Sequence, residues 1–357
     1  MKILFALPGF HKYHRGAEVA LLSVADELAK AGEDVTVVGS GKEESGNAYR
    51  FQHVPSVSRE TFERFPNFPP FRSETAWEDA TFAANLVRKV DTRSYDATVT
   101  CSFPFTHWAL RRGGRKAPAH IFVTQNGEWP AVSNKSEYRF FDCDGLVCIN
   151  PDYFETNRGQ WNCALIPNGA DLERFRPCKS DAAEFGLPSD KKIILMVSAF
   201  IPTKRVADAV RAVAEIDDAF LVVAGDGPLR DEVQSLAEEL LPGRFKRLTL
   251  TAPEMPKLYN AADAFLHMSL FESFGNVFVE AMACGLPVVG HDTARLRWIV
   301  GDEEYLCDTE DRAQLVGSIR AALSAGQRPL NENLKRFSWT AIADQYRAFI
   351  AETLSSR

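Results

Sequence analysis

Short apolar runs alternate with amphipathic helical patterns from one end of the chain to the other, and that alternation leaves few folds open. KILFAL, DVTVVG, YDATVTC, AHIFVTQ, DGLVCI and CALIPNG read as strands in the first half. KKIILMVSAF, AFLVVAGDG, RLTLT, DAFLHMS, LPVVGHD and EYLCD do so in the second. Helical segments such as GAEVALLSVADELAKAG and LRDEVQSLAEELL lie between them. Adjacent parallel strands need a long crossover, here a helix, so the pattern predicts right-handed βαβ units and parallel sheets. GADLERFRPCKSDAAEFGLPSD separates two such series, and 357 residues are enough for two cores. The predicted domains are residues 1–170 and 171–337. In the tail, Trp339, Ile342, Tyr346, Phe349 and Ile350 share one helical face behind the cap candidate Ser338. This helix, 338–357, is expected to pack back on the first domain. In TFERFPNFPPFRSETAW, Phe62, Phe65, Phe68 and Phe71 recur every third residue. The prolines between them forbid a regular helix, so the stretch reads as a long aromatic loop.

A formal net charge of −7 argues against a nucleic-acid partner. The seven scattered cysteines form no C-x-x-C pair and read as reduced thiols. MKILFALPG enters a strand at once, and no stretch of about 20 apolar residues occurs. The expectation is a cytoplasmic protein. WALRRGGRK, with Arg111, Arg112, Arg115 and Lys116, reads either as a peripheral contact with anionic lipid or an acidic acceptor, or as a solvated helix end. Nothing in the sequence addresses oligomeric state.

The stretch most suggestive of chemistry is SLFESFGNVFVEAMACGLPVV, residues 269–289. Parallel sheets bind ligands at the carboxyl ends of their strands, where helix N-termini offer free N–H groups and partial positive charge. Gly275 at the turn would let backbone amides approach a phosphate without an intervening Cβ. Glu272 precedes that turn and Glu280 follows it. Carboxylates accept pairs of hydroxyl hydrogen bonds, so the layout suits a nucleotide sugar: hexose hydroxyls, diphosphate, ribose diol. A surface helix with one solvated glutamate and one cap fits the spacing as well.

The stretch is similar to the donor-binding motif of retaining glycosyltransferases of family 4, in which two glutamates flank seven residues including Phe-Gly. Other segments follow the same family's order: RGAEVALLSVADELAKAGEDVTVV, IPNGADLERFRP, VSAFIPTKRVADAVRA, VVAGDGPLR and FSWTAIADQYRAF. The resemblance implies an α/β protein of GT-B fold, two Rossmann-like doubly wound domains with an interdomain cleft. It further implies transfer of a sugar from a UDP- or GDP-sugar to a hydroxyl acceptor with retention of configuration. No metal or cofactor is implied beyond the nucleotide sugar itself.

Carried over by position, Lys204 neutralises the leaving diphosphate. Glu272, with the amides around Phe274, Gly275 and Asn276, holds sugar and phosphate, and Glu280 takes the ribose hydroxyls. Gly16 lets the first domain's backbone approach the same phosphates. Three departures from the family pattern stand out. The arginine expected five residues before the lysine is Ala199; Arg205 either compensates or is a solvated helix-start residue. The first of two N-terminal glycines is Arg15, a second phosphate cation or a turn residue. Asn126 replaces a histidine near the sugar; it can orient a hydroxyl but cannot shuttle a proton.

Other candidates are weaker. Asp142 and Asp144 imitate an Asp-x-Asp metal signature but read as a pre-strand turn. His11 and His14 lack a carboxylate or cysteine partner, and line the acceptor side or a solvated loop. GDGP at 225–228 suits a tight turn as well as a ligand contact. The rival functions are a non-catalytic nucleotide-sugar-binding subunit and a nicotinamide oxidoreductase. The second would need a G-x-G-x-x-G turn that LPGFHKYHRGAE does not supply.

Overall fold

The computed structural model describes residues 1–125, 135–301, 304–326, 328 and 332–357. The chain divides into two compact units, Met1–Gly169 with Trp339–Arg357, and Ala170–Ser338. In chain order the first unit contains β1 (Lys2–Ala6), α1 (Gly16–Lys30), β2 (Asp34–Gly39), β3 (Arg50–His53), α2 (Glu74–Lys89) and β4 (Ala97–Thr100). There follow α3 (Phe105–Leu110), β5 (Ala119–Val123), β6 (Gly145–Cys148), α4 (Pro151–Asn157) and β7 (Cys163–Leu165). The strands form one sheet in the order β3-β2-β1-β4-β5-β6-β7. All the pairings are parallel, with Ile3 opposite Val35 on one side and Ala97 on the other. Leu4, Ala6 and Val38 of the sheet bury against Phe82 and Leu86 of α2 and Leu110 of α3.

The second unit contains β8 (Lys192–Val197), α5 (Val206–Val213), β9 (Ala219–Ala224), α6 (Arg230–Leu240), β10 (Phe245–Leu248) and α7 (Met255–Asn260). It continues with β11 (Ala264–Leu266), α8 (Asn276–Ala283), β12 (Val288–His291), α9 (Ala294–Val300), β13 (Tyr305–Cys307) and α10 (Arg312–Ala325). Its sheet order is β10-β9-β8-β11-β12-β13, again parallel throughout. Ile194, Met196, Leu221 and Val223 of the central strands bury against Val206, Val210 and Val213 of α5.

The last helix, α11 (Trp339–Ser355), belongs to the first unit. Ile342, Tyr346, Phe349 and Ile350 are buried, and Thr340 hydrogen-bonds Glu27 of α1 at 2.8 Å. The helix sits directly on the sheet: a Cβ on Gly145 of β6 would lie 2.9 Å from the Phe349 ring.

Three local expectations change. The edge strand β3, RFQH, is half-exposed and polar, so it carries no apolar run by which to be recognised. The strand expected at RLTLT starts earlier, as Phe245–Leu248, because its register is set by pairing with β9. The aromatic stretch is a loop only until Glu74, where α2 begins. Its phenylalanines gather on the first exposed turn of that helix: Phe62, Phe65, Phe68 and Phe71 all pack on Trp77, Phe71 stacked at 3.9 Å. Among the described residues no helix is long and apolar enough to cross a membrane.

Candidate active site

The second unit's sheet changes direction between β8 and β11. The connections leaving those two neighbouring strands diverge, and the crevice they leave at the carboxyl ends is where such sheets hold ligands. Lys204 and Glu272 come from these two connections, 68 residues apart in sequence, and form an ion pair.

After β8 a single 3-10 turn, Pro202–Lys204, opens with proline, whose missing N–H is no loss at that position. Arg205 then adopts a left-handed conformation (φ 51°) and starts α5. Its guanidinium binds Asp208 at 2.9 Å, Thr309 through hydroxyl and carbonyl at 3.0 Å each, and the Met268 carbonyl at 3.4 Å. Arg205 is therefore not a solvated helix-start arginine. It ties the lysine turn to the ends of β11 and β13. The GDGP turn belongs to the same support. A Cβ on Gly225 would lie 1.9 Å from the Ser198 carbonyl, and one on Gly227 2.6 Å from the Phe200 carbonyl. Only glycine lets the β9 turn pack under the lysine loop.

After β11 the chain passes His267, Met268 and Ser269 to reach Glu272. Besides Lys204, the Glu272 carboxylate takes the buried His267 Nε2 at 3.2 Å, and its backbone carbonyl accepts from Arg295 at 2.6 Å. Burial alone would raise this carboxyl. Hydrogen bonds from His267 and Lys204 outweigh burial and hold it down at about 2. Gly275 (φ 83°) turns the chain into α8. A Cβ there would meet the Phe278 ring at 2.7 Å. Phe274 is buried against Phe337 and Trp298, so its ring is core and only its backbone faces the turn. Asn276 opens the helix and Glu280 lies one turn further, accepting from the Tyr259 hydroxyl at 2.8 Å. Burial pushes the Glu280 carboxyl up, against the pull of Tyr259 and Arg174.

Three buried polar atoms at these strand ends, Ser198 Oγ, Ser269 Oγ and His267 Nδ1, have no hydrogen-bond partner among the described residues. Buried polar groups are rarely left so, and three at one switch point suit a polar ligand. His267, Tyr259 and Arg295 were not singled out in the sequence, because a strand-end histidine, a helix tyrosine and an arginine 23 residues downstream of Glu272 make no local pattern.

In the first unit, Gly16 starts α1, and a Cβ on it would touch nothing within 4 Å. Arg15, exposed just before it, lies over the Tyr13 ring. Asn126 falls outside the described residues. His11 does not lie in a solvated loop. It is buried, bonded to Tyr49 at 2.7 Å and the Lys42 carbonyl at 3.1 Å, and stacked on Phe51. His14 is exposed. Asp142 pairs with Arg111, and Asp144 accepts from the His120 amide and pairs with Arg357 at 3.1 Å. No group of three His, Cys, Asp or Glu among the described residues could hold a metal ion.

Two family models match the chain: Glycosyltransferase Family 4 over residues 14–174 and Glycosyl transferases group 1 over residues 179–338. Among characterised proteins, the lipopolysaccharide core biosynthesis glycosyltransferase LpsD of Rhizobium meliloti is 29% identical over 255 residues, 67% of this chain and 72% of that protein. The D-inositol 3-phosphate glycosyltransferase of Mycolicibacterium smegmatis is 34% identical over 54% of this chain, which spans about half of that protein's length (48%). Among solved structures, sucrose-phosphate synthase from Thermosynechococcus elongatus superposes with a TM-score of 0.77 at 20% identity, covering 100% of both chains. Anabaena HepE in complex with UDP-glucose gives a TM-score of 0.72 at 19% identity, again over 100% of both chains. At such identities the structural likeness speaks for the fold, and the fold is GT-B.

Proposed function

We propose that this chain, which belongs to the GT-B glycosyltransferases of family 4 type, transfers a sugar from a nucleoside diphosphate donor to a hydroxyl acceptor with retention of configuration. The observation that carries the reading is the Lys204–Glu272 pair at the switch point, beside the turn at Gly275. Lys204 and the start of α8 suit a diphosphate: one full positive charge and a helix N-terminus of about half a charge. Glu272, ionised and aimed by His267, suits the sugar hydroxyls, and Glu280 the ribose. Asn126 is assigned to orienting a sugar hydroxyl.

In the step itself, the bond from the anomeric carbon to the diphosphate oxygen breaks as the acceptor oxygen bonds to the same face. The acceptor proton passes to the leaving diphosphate, and Lys204 stabilises the negative charge that develops there. The protein then contributes positioning and electrostatics rather than a nucleophile. Product anomeric configuration, read by proton NMR, tests this; inversion would overturn it. HepE was solved with UDP-glucose, so UDP-sugars come first in a thermal-shift panel of donors. A ligand at 100 times its dissociation constant stabilises by about 2.7 kcal/mol. Donor hydrolysis by the wild type would exclude the non-catalytic binding subunit.

Glu280→Ala should weaken binding of the bare nucleoside diphosphate by about ten- to a hundredfold, the scale of hydrogen bonds to a carboxylate. Tyr259→Phe, which removes only the hydroxyl held by Glu280, should cost about threefold. Calorimetry reads both. Unchanged affinity in the Glu280 variant would remove the ribose assignment.

The scheme needs no metal. Exhaustive chelation should leave turnover unchanged. Activity that returned only with magnesium or manganese would overturn metal independence and reopen Asp142 and Asp144 as ligands.

A further inference from the structure

The first unit's sheet has its own switch point, between β1 and β4. The connection leaving β1, joined by Arg59 from the segment between β3 and α2, carries an unusual gathering of charge. Three cations surround one ring: Arg15 Cζ lies 4.3 Å, Arg59 Cζ 4.5 Å and Lys12 Nζ 5.0 Å from the centroid of Tyr13. The electron-rich ring face attracts each of them, but it does not cancel their mutual repulsion.

The nearby acids fall short. Glu78 is buried and takes both Lys12 at 2.6 Å and Arg59 at 2.7 Å. Burial pushes the Glu18 carboxyl up, against a backbone hydrogen bond and the pull of Arg15 and Arg59. Even with Glu18 counted, two carboxylates face three cations. The side chain of Glu18 also lies behind Gly9, where a Cβ would touch its Oε1. Glu60 is fully exposed and bonded to Ser58. Among the described residues no carboxylate comes within ion-pair distance of Arg15. Arg59 Nε is buried with no hydrogen-bond partner among the described residues. A surplus of positive charge and an unused buried donor thus meet at a strand end.

We propose that Lys12, Arg15 and Arg59, gathered round Tyr13, form an oxyanion subsite that takes a phosphate or carboxylate group carried by the acceptor. Guanidinium groups suit this because their paired N–H donors match the spacing of phosphate and carboxylate oxygens. The assignment to the acceptor rests on the transfer reading, in which Lys204 already serves the donor diphosphate. Arg15 is then neither a donor-phosphate cation nor a solvated turn residue.

The test is calorimetric titration of the full chain with inorganic phosphate, with and without a saturating nucleoside diphosphate. Wild type should bind phosphate in both conditions. Arg15→Gln and Lys12→Gln should each weaken it about tenfold, the loss of one charge-assisted contact. Arg15 is exposed and holds no ion pair among the described residues, so its variant should melt as wild type does. Equal affinity in wild type and Arg15→Gln would overturn the subsite. Complete displacement of phosphate by the nucleotide would overturn the acceptor assignment and give the cations to the donor. Phosphate binding is read without turnover, so an inactive chain that still binds phosphate through Arg15 would sink the transfer reading and leave the subsite standing.

Discussion

Lys204→Ala should lower turnover by about two to three orders of magnitude, the scale of losing one preorganised charge donor to a developing anion. The same variant should fold normally. The Lys204–Glu272 pair is part-buried, its side chains 24% and 23% exposed, so solvent reaches the carboxylate once the lysine is gone. Removing the lysine does not strand its partner either, because His267 remains hydrogen-bonded to Glu272. Melting temperature and turnover thus separate structure from chemistry. Lys204→Arg should recover only part of the rate, since a planar fork on a longer stem puts its charge elsewhere. An alanine variant that turned over at the wild-type rate would remove Lys204 from the mechanism and the switch-point assignment with it.

Gly275→Ala should destabilise the protein by about 2–4 kcal/mol, from left-handed backbone strain and overpacking together. Its φ of 83° disfavours any side chain, and the new Cβ would press on the Phe278 ring at 2.7 Å. That ring packs at 4.7 Å on His267, so the push should reach Glu272 as well. Gly16→Ala is the control. Nothing lies within 4 Å of its Cβ, and alanine suits a first helical turn, so its stability should stay within about 1 kcal/mol of wild type. Urea midpoints of the two variants decide the matter. A wild-type midpoint for Gly275→Ala would show that the turn relaxes freely. Lost activity in a stable Gly16→Ala would show that its missing Cβ serves a ligand.

The alternation of strands and helices was legible because both sheets are parallel, and their central strands, buried on both faces, read as unbroken apolar runs. The exceptions lay at the edges: β3, too polar to notice, and β10, whose bounds its neighbour sets. Lys204 and Glu272 could be named from motif order, but not their ion pair, which depends on β8 and β11 being neighbours in the sheet. His267 was hidden for the same reason. Arg205 misled because a charged residue at a helix start usually faces water; here the left-handed turn sends its guanidinium inward to Thr309. The phenylalanine spacing predicted a loop and gave no hint of its hub, because Trp77 sits beyond the last proline on the following helix.

The return of α11 to the first unit bears on how the protein is made. Residues 170–338 form one continuous stretch and can complete their sheet as soon as they leave the ribosome. The first unit cannot. It is synthesised first, yet the surface where Tyr346, Phe349 and Ile350 belong stays uncovered until α11 emerges. At about 5–20 residues per second, the intervening 169 residues (338 minus 169) leave that apolar surface waiting for roughly ten seconds or more. The usual order of domain completion is inverted: the older half of the molecule closes only after the younger half has been made.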